Sequence, residues 1–403
     1  MIDRDARLQA SREARNRSLV LLIFGIFFAA YGALNYYIGL RGWQYLFHQV
    51  PFLNPGSYWI AFTIVVLVGT AATVANRFLP QLLRRTLYLA GSYWLAAMTY
   101  FILVLLFFDL VRVLDRWTGV LPGAVTERGA FSLAPGLLAV GTVLVLLAYG
   151  TGAARKVHIA AYEITIPKPA GQLDQLRIAM VSDLHLGPVD DQRQKRVIEI
   201  LNELKPDLVV IPGDIVDDSR FFAEENMAAD FHQVQSKYGI YAAFGNHDYF
   251  NRDLDQVTKL LNQAGIHVLR DSSVKIADSF YLIGRDDKYH ELKSGSKNAS
   301  ISKLTNGLDL QYPVIMLAHQ PVDLDKTRHA GVDLLLAGHT HQGQFFPFNL
   351  VTRRIFAVDY GHLEKEGLQV IVTSGAGTWG PPIRLGSTSE VVDIRLTFKA
   401  PAA

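Results

Sequence analysis

The sequence predicts a chain of two parts, an all-α membrane domain of four spans followed by an α/β domain. Before residue 155, apolar residues are concentrated in four long stretches that contain no Asp, Glu, Lys or Arg. Beyond that point, strand-like runs of β-branched residues alternate with helical patterns, which is typical of an α/β fold. Five clusters of metal-binding side chains also follow directly after strand-like runs, which indicates where this domain carries its chemistry.

The four apolar stretches are each long enough to cross roughly 30 Å of hydrocarbon as a helix. They are Ser18–Leu40, Ser57–Ala75, Leu87–Phe108 and Phe131–Ala154. A buried soluble bundle is the alternative, but the helices of such a bundle normally carry a polar face. A cleaved signal peptide would explain only the first stretch, and its length and the three stretches that follow argue against it.

The orientation of the spans follows from basic residues in the short connections. Four basic residues lie on one side, namely Arg41, Arg112, Arg116 and Arg128. Ten lie on the other side, namely Arg4, Arg7, Arg12, Arg15, Arg17, Arg77, Arg84, Arg85, Arg155 and Lys156. This excess predicts a multi-pass cell-membrane protein with both termini in the cytoplasm. The domains are then a basic tail at 1–17, a four-helix membrane domain at 18–154, and a cytoplasmic α/β domain at 155–403.

The distribution of charge restricts the partners. The chain has a net charge of +2, but its first 154 residues hold 12 arginines against six acidic residues, so the remainder is net acidic. An acidic α/β domain argues against a nucleic-acid partner. The absence of cysteine excludes disulfides, zinc thiolate sites and a cysteine nucleophile. Membrane lipids are the partner that the apolar stretches imply, and the sequence predicts no protein partner.

The α/β domain is predicted to gather its clusters at one edge. Helices are expected at Asp190–Leu204 and Leu254–Ala264. Strands are expected at Leu176–Ser182, Leu208–Pro212, Gly239–Phe244, Phe280–Ile283, Val314–Leu317, Val332–Leu336, Val370–Thr373 and Val391–Phe398. In open α/β sheets, ligands bind at the carboxyl ends of the strands. The clusters should therefore converge although they are far apart in sequence.

The clusters combine carboxylates, imidazoles and one amide. They are Asp183-Leu-His185, Gly213-Asp214-Ile-Val-Asp217, Gly245-Asn246-His247-Asp248, Ala318-His319 and Gly338-His339-Thr-His341. Such a donor set is enough to hold two divalent ions about 3.5–4 Å apart. Ions held in this way would bind phosphate oxygens and lower the pKa of a bridging water. The clusters thus predict metal-assisted hydrolysis of a phosphate ester.

Each candidate ligand has an expected place. Asp214 is the natural bridge between the ions. Side chains at i and i+2 of an extended segment point to the same side, so Asp183 and His185 should reach one ion together. The same spacing lets His339 and His341 serve one ion each. The second ion is completed by His319 and Asn246.

One histidine remains for catalysis. His247 follows Asn246 directly and should point elsewhere, where it can stabilise the transition state or protonate the leaving oxygen. Asp217 can orient its ring, as a carboxylate often does for a histidine.

The order of these motifs resembles the calcineurin-like metallophosphoesterase superfamily. The flanking segments Gly338–Gln344 and Gly375–Gly386 are similar to a bacterial membrane-associated subgroup with N-terminal spans, and the resemblance covers about 174–398. It implies a four-layer α/β/β/α sandwich at 155–403, a catalytic His247, and two metal ions. The implied ligands are Asp183, His185, Asp214, Asn246, His319, His339 and His341. Mn, Fe and Zn all suit such a mixed donor set.

Two residues near the site raise questions of substrate recognition. The subgroup usually has glycine where this chain has Gln342, whose larger side chain is expected beside the metals, where it would narrow the pocket. Arg384 is expected to bind a non-bridging phosphate oxygen, with a structural salt bridge as the equal alternative.

The membrane domain indicates a substrate in or near the bilayer. A phospholipid, a lipid-linked sugar phosphate or a nucleotide-linked lipid would qualify. The alternatives are a phosphodiesterase or phosphatase acting on a soluble substrate, and a non-catalytic membrane scaffold whose metal site is structural. The complete ligand set and the additional His247 argue against the scaffold.

Overall fold

The computed structural model describes residues 2–48, 50, 52–75, 79–119, 133–189, 191–251 and 253–399. Phe131, Arg77, Arg128 and Asp190, which entered the predictions above, lie outside these residues. The chain divides into two compact units. The first unit consists of residues 1–78 and 90–147, and the second of residues 79–89 and 148–403.

The first unit is helical. Its helices are α1 (Ile2–Gly42), continued by a π-helix (Trp43–Phe47), α2 (Pro55–Ala75), α3 (Gln81–Thr118) and α4 (Leu133–Arg155); α3 begins and α4 ends in the second unit. Within the described residues, three helical segments are long and apolar enough to cross a membrane, namely Leu22–Phe47, Gln81–Thr118 and Leu133–Arg155. In α2, the described side chains form a shorter apolar segment at Pro55–Val68.

Two helices of this unit continue past the predicted apolar stretches and meet through a polar group. Asp109 lies one residue beyond the stretch in α3, and Arg41 one residue beyond the stretch in α1. The Asp109 carboxylate accepts hydrogen bonds from Arg41 at 2.6 Å and from the Tyr37 hydroxyl at 2.7 Å. The charge just beyond each apolar stretch is therefore paired, which offsets its removal from water.

The second unit contains two six-stranded sheets. The first has the order β1-β12-β2-β3-β4-β5, with β2 to β5 parallel. Its strands are β1 (Val157–Ile166), β2 (Gln175–Met180), β3 (Leu208–Pro212), β4 (Ile240–Ala243), β5 (Ile266–Val268) and β12 (Ser389–Phe398). Every residue of β3 is buried, as expected of an apolar run in a parallel sheet covered on both faces.

The second sheet has the order β10-β11-β9-β8-β7-β6, and β11, β9, β8 and β7 run parallel. Its strands are β6 (Ser272–Ile276), β7 (Phe280–Arg285), β8 (Val314–Ala318), β9 (Leu334–Ala337), β10 (Gly361–Lys365) and β11 (Leu368–Val372). Residues of both sheets form one apolar cluster that includes Ile178 and Leu282.

Helices contribute to further apolar clusters with each sheet. The helices are α5 (Asp191–Leu204), α6 (Ser219–Glu224), α7 (Asn246–Phe250), α8 (Leu254–Gln263), α9 (Lys288–Ser294), α10 (Ile301–Thr305), α11 (Leu324–His329) and α12 (Phe348–Ile355). Val197 of α5 and Val257 of α8 pack in the cluster of the first sheet. Ile301 of α10 and Leu324 of α11 pack in that of the second.

The predicted apolar strands and both predicted helices are present, with ends that shift by a few residues. The strands β1, β5, β6 and β10 had not been predicted, nor had the short helices α6, α7 and α9 to α12. In β10, each residue is exposed or half-buried, so its sequence carries no apolar run.

Candidate metal centre

The clusters converge where neighbouring parallel strands end. β2, β3 and β4 lie side by side in one sheet, and β8 and β9 lie side by side in the other. Six of the predicted ligands form two groups in which the ligand atoms lie within 4.8 Å of one another. We call them the Asp183 group (Asp183, His185, His341) and the Asp214 group (Asp214, His319, His339).

The Asp183 group is fully buried. The Nε2 atoms of His185 and His341 are 3.0 Å apart, and His341 Nε2 is 3.2 Å from Asp183 Oδ1. Two imidazole nitrogens and a carboxylate oxygen thus point at one small volume, as ligands of a cation do.

The Asp214 group lies beside it. His319 Nε2 is 3.1 Å from Asp214 Oδ2, and His339 Nδ1 is 3.2 Å from His319 Nε2. Asp214 Oδ2 is also 3.8 Å from His185 Nε2, so this carboxylate faces both groups. A carboxylate that bridges two ions needs such a position, and this role for Asp214 stays a prediction.

Two details show that these residues fit metal ions. His319 Nδ1 lies 3.0 Å from the Pro212 carbonyl, which only accepts, so Nδ1 donates a proton there and Nε2 is the ring atom that faces the Asp214 carboxylate. A cation bound between Nε2 and this carboxylate would find a nitrogen and an oxygen ligand already in place. In addition, the Oδ1 atom of Asn246 is buried and has no hydrogen-bond partner among the described residues. A buried, unpaired oxygen is costly unless an ion or a water occupies it.

The backbone that presents these ligands is not extended. Asp183, His185 and His341 have φ angles of 54°, 49° and 49°, in the left-handed region. The expectation that an extended i, i+2 segment aims Asp183 and His185 was therefore wrong, since β2 already ends at Met180. An irregular segment after the strand aims both side chains instead, with the backbone N–H groups of Asp183 and His185 donating to the carbonyls of Gly213 and Asp214. Such left-handed, strained residues are typical of functional sites.

Glycines allow the carboxylates their positions. A Cβ atom on Gly338 would lie 2.1 Å from Asp183 Oδ2, and one on Gly245 would lie 2.2 Å from Asp214 Oδ1. Neither position tolerates a side chain. From the sequence, these glycines were only members of the motifs. Their role could not be predicted, because the carboxylates that approach them follow other strands.

Asp217 connects the Asp183 group with the candidate acid. Its Oδ1 atom is 2.6 Å from His185 Nδ1 and 2.8 Å from His247 Nδ1. Burial acts to lower the pKa of His247, but the hydrogen bond and the charge of Asp217 outweigh burial and raise it to about 9. The imidazole of His247 is therefore protonated on both nitrogens and positively charged at neutral pH. Its backbone N–H donates to Asp214 Oδ1 at 2.8 Å.

A further carboxylate, Asp248, holds the loops together. It is fully buried and accepts hydrogen bonds from the backbone N–H groups of Ile215, Val216 and Gly245. Burial and the charge of Asp214 raise its pKa to about 7. Its sequence context did not distinguish this role from a solvated or capping residue.

The ligand carboxylates remain ionised although they are buried. Burial alone would raise the pKa of Asp183, but His341 and other nearby imidazoles outweigh it and hold the pKa well below its usual range. Burial likewise opposes ionisation of Asp214, and His319 lowers its pKa to about 2. Both groups are therefore anionic at neutral pH, as metal binding requires.

The imidazoles divide into two kinds. Burial lowers the pKa of His339 and of His341 to about 4, so both are neutral and can donate a lone pair to a cation. Burial also disfavours the charged form of His319, but Asp214 raises its pKa to about 10. Without a metal, a proton thus occupies the place between His319 and Asp214 that a cation would take.

The two residues considered for substrate recognition are placed differently. Arg384 is completely buried, and its guanidinium donates to the carbonyls of Ser374, Gly375 and Gly377. It lies behind His341, 3.4 Å from Nδ1, rather than at a surface that a phosphate can reach. Gln342 is half-buried and has a φ of 51°, which explains why glycine suits this position.

Comparison with known proteins identifies the family of the chain. The family model for calcineurin-like phosphoesterases matches residues 176–343. A Danio rerio protein described as a transmembrane protein with a metallophosphoesterase domain is 32% identical over 324 residues, which cover 75% of this chain and 74% of the relative. An uncharacterised metallophosphoesterase of Aquifex aeolicus is 32% identical and covers 60% of this chain and 95% of its own.

Solved structures are more distant. The NAD nucleotidase of Haemophilus influenzae aligns with a TM-score of 0.37 and 19% identity, over 57% of this chain and 48% of that protein. A likeness of this size carries no functional argument.

Fold and site together define a metal-dependent hydrolase of phosphoric ester bonds. The chain belongs to the calcineurin-like metallophosphoesterases, and among its homologues are transmembrane members.

Proposed function

We propose that this chain is a membrane-anchored phosphoesterase that hydrolyses a lipid-linked phosphate ester at a centre of two divalent ions. The observation that carries the proposal is the pair of adjacent ligand groups, which share the Asp214 carboxylate. In this proposal the Asp183 group holds one ion, and the Asp214 group together with Asn246 holds the other. Mn, Fe and Zn remain the proposed metals, because the donor set suits all three.

The side chains divide the work. When bound, the ions supply the positive charge that attracts phosphate oxygens and favours deprotonation of an attacking water. His247 holds a proton at Nε2, while its Nδ1 proton is shared with Asp217, so it can donate to the leaving oxygen. Arg384 acts in this proposal by supporting the Asp183 group from behind. Gln342 borders the pocket and restricts which esters enter.

The membrane assignment is also part of the proposal. We propose four spans, with α2 as the fourth beside the three segments above, and the boundaries 1–17, 18–154 and 155–403. The catalytic unit would lie in the cytoplasm, as the basic residues indicate, with its sheets and helices in four α/β/β/α layers. A hydrolase fixed to the membrane in this way meets lipid-linked esters at high local concentration.

Turnover of simple esters tests the chemistry. The detergent-purified full chain is assayed with bis-p-nitrophenyl phosphate and p-nitrophenyl phosphate in Mn²⁺, beside His247→Ala. We expect metal-dependent turnover in the wild type and a loss of about 10²–10⁴-fold in the variant, with both metals retained. Equal turnover by both proteins, or no turnover with two metals bound, would contradict the proposed reaction.

A further inference from the structure

The helix α12 exposes an apolar stripe. Each of its eight residues is exposed or half-buried. Phe348, Val351 and Ile355 recur at helical spacing and are 43%, 50% and 68% exposed. An amphipathic helix normally buries such a stripe against its own domain. Here the stripe stays open to the surroundings.

Neighbouring apolar side chains enlarge this surface. Phe346, Leu350 and Trp379 are 46%, 56% and 45% exposed. Two hydrogen bonds connect the backbone of Trp379 to Gln344, in the segment before α12. The backbone N–H of Trp379 donates to Gln344 Oε1, and its carbonyl accepts from Gln344 Nε2, both at 3.0 Å. The α12 patch is therefore Phe346, Phe348, Leu350, Val351, Ile355 and Trp379. Several exposed large apolar side chains on one short segment and its hydrogen-bonded neighbour are typical of an interaction site.

The patch is rigidly connected to the metal centre. A Cβ atom on Gly343 would lie 2.1 Å from the backbone nitrogen of Asn349, so α12 packs directly on the segment that carries His341. At the other end of the helix, the ring of Phe356 lies 5.9 Å from the ring of His339. Whatever covers the patch is thus held beside both ligand groups.

Charge and composition indicate the nature of the covering partner. The last turn of α12 carries Arg353 and Arg354, both exposed. Aliphatic residues with a tryptophan and flanking arginines are typical of helices that lie in the interface of a bilayer, where arginines meet anionic headgroups. A membrane is available, because only Lys156 separates α4, which is apolar enough to span one, from β1.

We infer that the α12 patch lies in the headgroup interface of an anionic phospholipid bilayer, so that the metal centre receives an acyl-chain phosphate ester from the membrane surface. The choice of substrate rests on the proposed function, whereas the docking of the patch does not. The apolar stripe inserts at the boundary between the headgroups and the acyl chains, and Arg353 and Arg354 contact lipid phosphates.

The cysteine-free chain permits a direct measurement of depth. A nitroxide is attached to Val351→Cys or Ile355→Cys in the full chain, in nanodiscs that contain phosphatidylglycerol. The control is Glu199→Cys on α5, at a side chain that is 61% exposed. We expect relaxation by oxygen to dominate at 351 and 355, and relaxation by a water-soluble nickel chelate to dominate at 199.

Two outcomes would overturn the docking. Dominant nickel relaxation at 351 and 355 would show that the patch faces water. Protection from both reagents would show that protein covers it, for example a second copy of this chain.

A kinetic comparison tests the substrate class. Val351→Ser combined with Ile355→Ser should lower turnover of a hexadecyl p-nitrophenyl phosphate in vesicles about tenfold or more, because two anchoring side chains are lost. Hydrolysis of soluble bis-p-nitrophenyl phosphate should stay unchanged, and Leu310→Ser, at another exposed leucine, should alter neither.

Equal losses on both esters would contradict the inference, because they would indicate damage to the site itself. If the wild type hydrolyses neither ester, the proposed function fails, while the nitroxide depths still decide the docking.

Discussion

The two ligand groups differ in how they are enclosed and supported. All three members of the Asp183 group are buried, and charged side chains stand behind its imidazoles, with Asp217 at His185 and Arg384 near His341. In the Asp214 group, His339 is only half-buried, and a main-chain carbonyl orients His319.

This difference indicates a division of tasks. A closed, firmly supported set of ligands suits an ion that stays in place. A set with an open side suits the ion that meets substrate, as in other catalytic metal sites. The Asn246 side-chain oxygen, which has no hydrogen-bond partner among the described residues, fits an Asp214 group that meets substrate, because it is a free polar atom beside that group. The following substitutions test whether the groups act separately.

The largest effect is expected from Gly338→Ala. The new Cβ would lie 2.1 Å from Asp183 Oδ2 and 2.3 Å from Ser182 Oγ, so the Asp183 group must be displaced. Turnover should be lost, and metal content measured by mass spectrometry should fall below two ions per chain. Gly152→Ala is the control, since nothing lies within 4 Å of its Cβ. Two bound ions and normal turnover in the Gly338 variant would refute the packing described here.

Asn246→Ala should affect the Asp214 group alone. It removes the buried Oδ1 atom while the Asp183 group stays intact, so the variant should retain one ion under dialysis that leaves two in the wild type. The readout is metal per chain, with turnover measured in parallel. Loss of both ions would show that the groups do not bind independently.

A smaller effect is expected from Asp217→Asn. This carboxylate touches His185 and His247 without belonging to either ligand group, so turnover should fall about 10–100-fold. The pKa of His247, about 9 beside Asp217, should also decrease. Because the protonated ring donates, activity declines as the pH rises through this pKa, and the alkaline limb should move to lower pH. If the alkaline limb of the pH–activity profile stayed unchanged, it would have to come from a group other than His247.

The smallest effect is expected from Gln342→Gly. A non-glycine residue at φ 51° is strained, so the variant should gain at most about 1 kcal/mol in the free energy of unfolding. It should also admit bulkier esters, which a substrate series would reveal as a lower KM for large leaving groups. A loss of stability would mean that contacts of the glutamine side chain outweigh the strain.

The sequence predicted which residues come together in the two groups, but not how the backbone holds them. Each cluster combines metal-binding residue types with an apolar run directly before it. Asp183, Asp214 and His319 could therefore be selected as candidate ligands from the sequence alone. The left-handed backbone at Asp183 could not be predicted, because an extended segment and an irregular one can share the same sequence pattern.

The same limit applies to long-range packing. Arg384 reads as a phosphate contact beside its glycines and prolines, and only the folded chain turns it inward onto carbonyls. The helix α12 escaped prediction because it is short and because none of its apolar residues is fully buried.

The most direct measurement is anomalous diffraction at the manganese edge from crystals of the full chain grown with Mn²⁺. We expect two peaks about 3.5–4 Å apart, one among Asp183, His185 and His341 and one among Asp214, His319, His339 and Asn246. A single peak would contradict this expectation, as would a peak held by Asp217 and His247, because that histidine would then be a ligand rather than the acid.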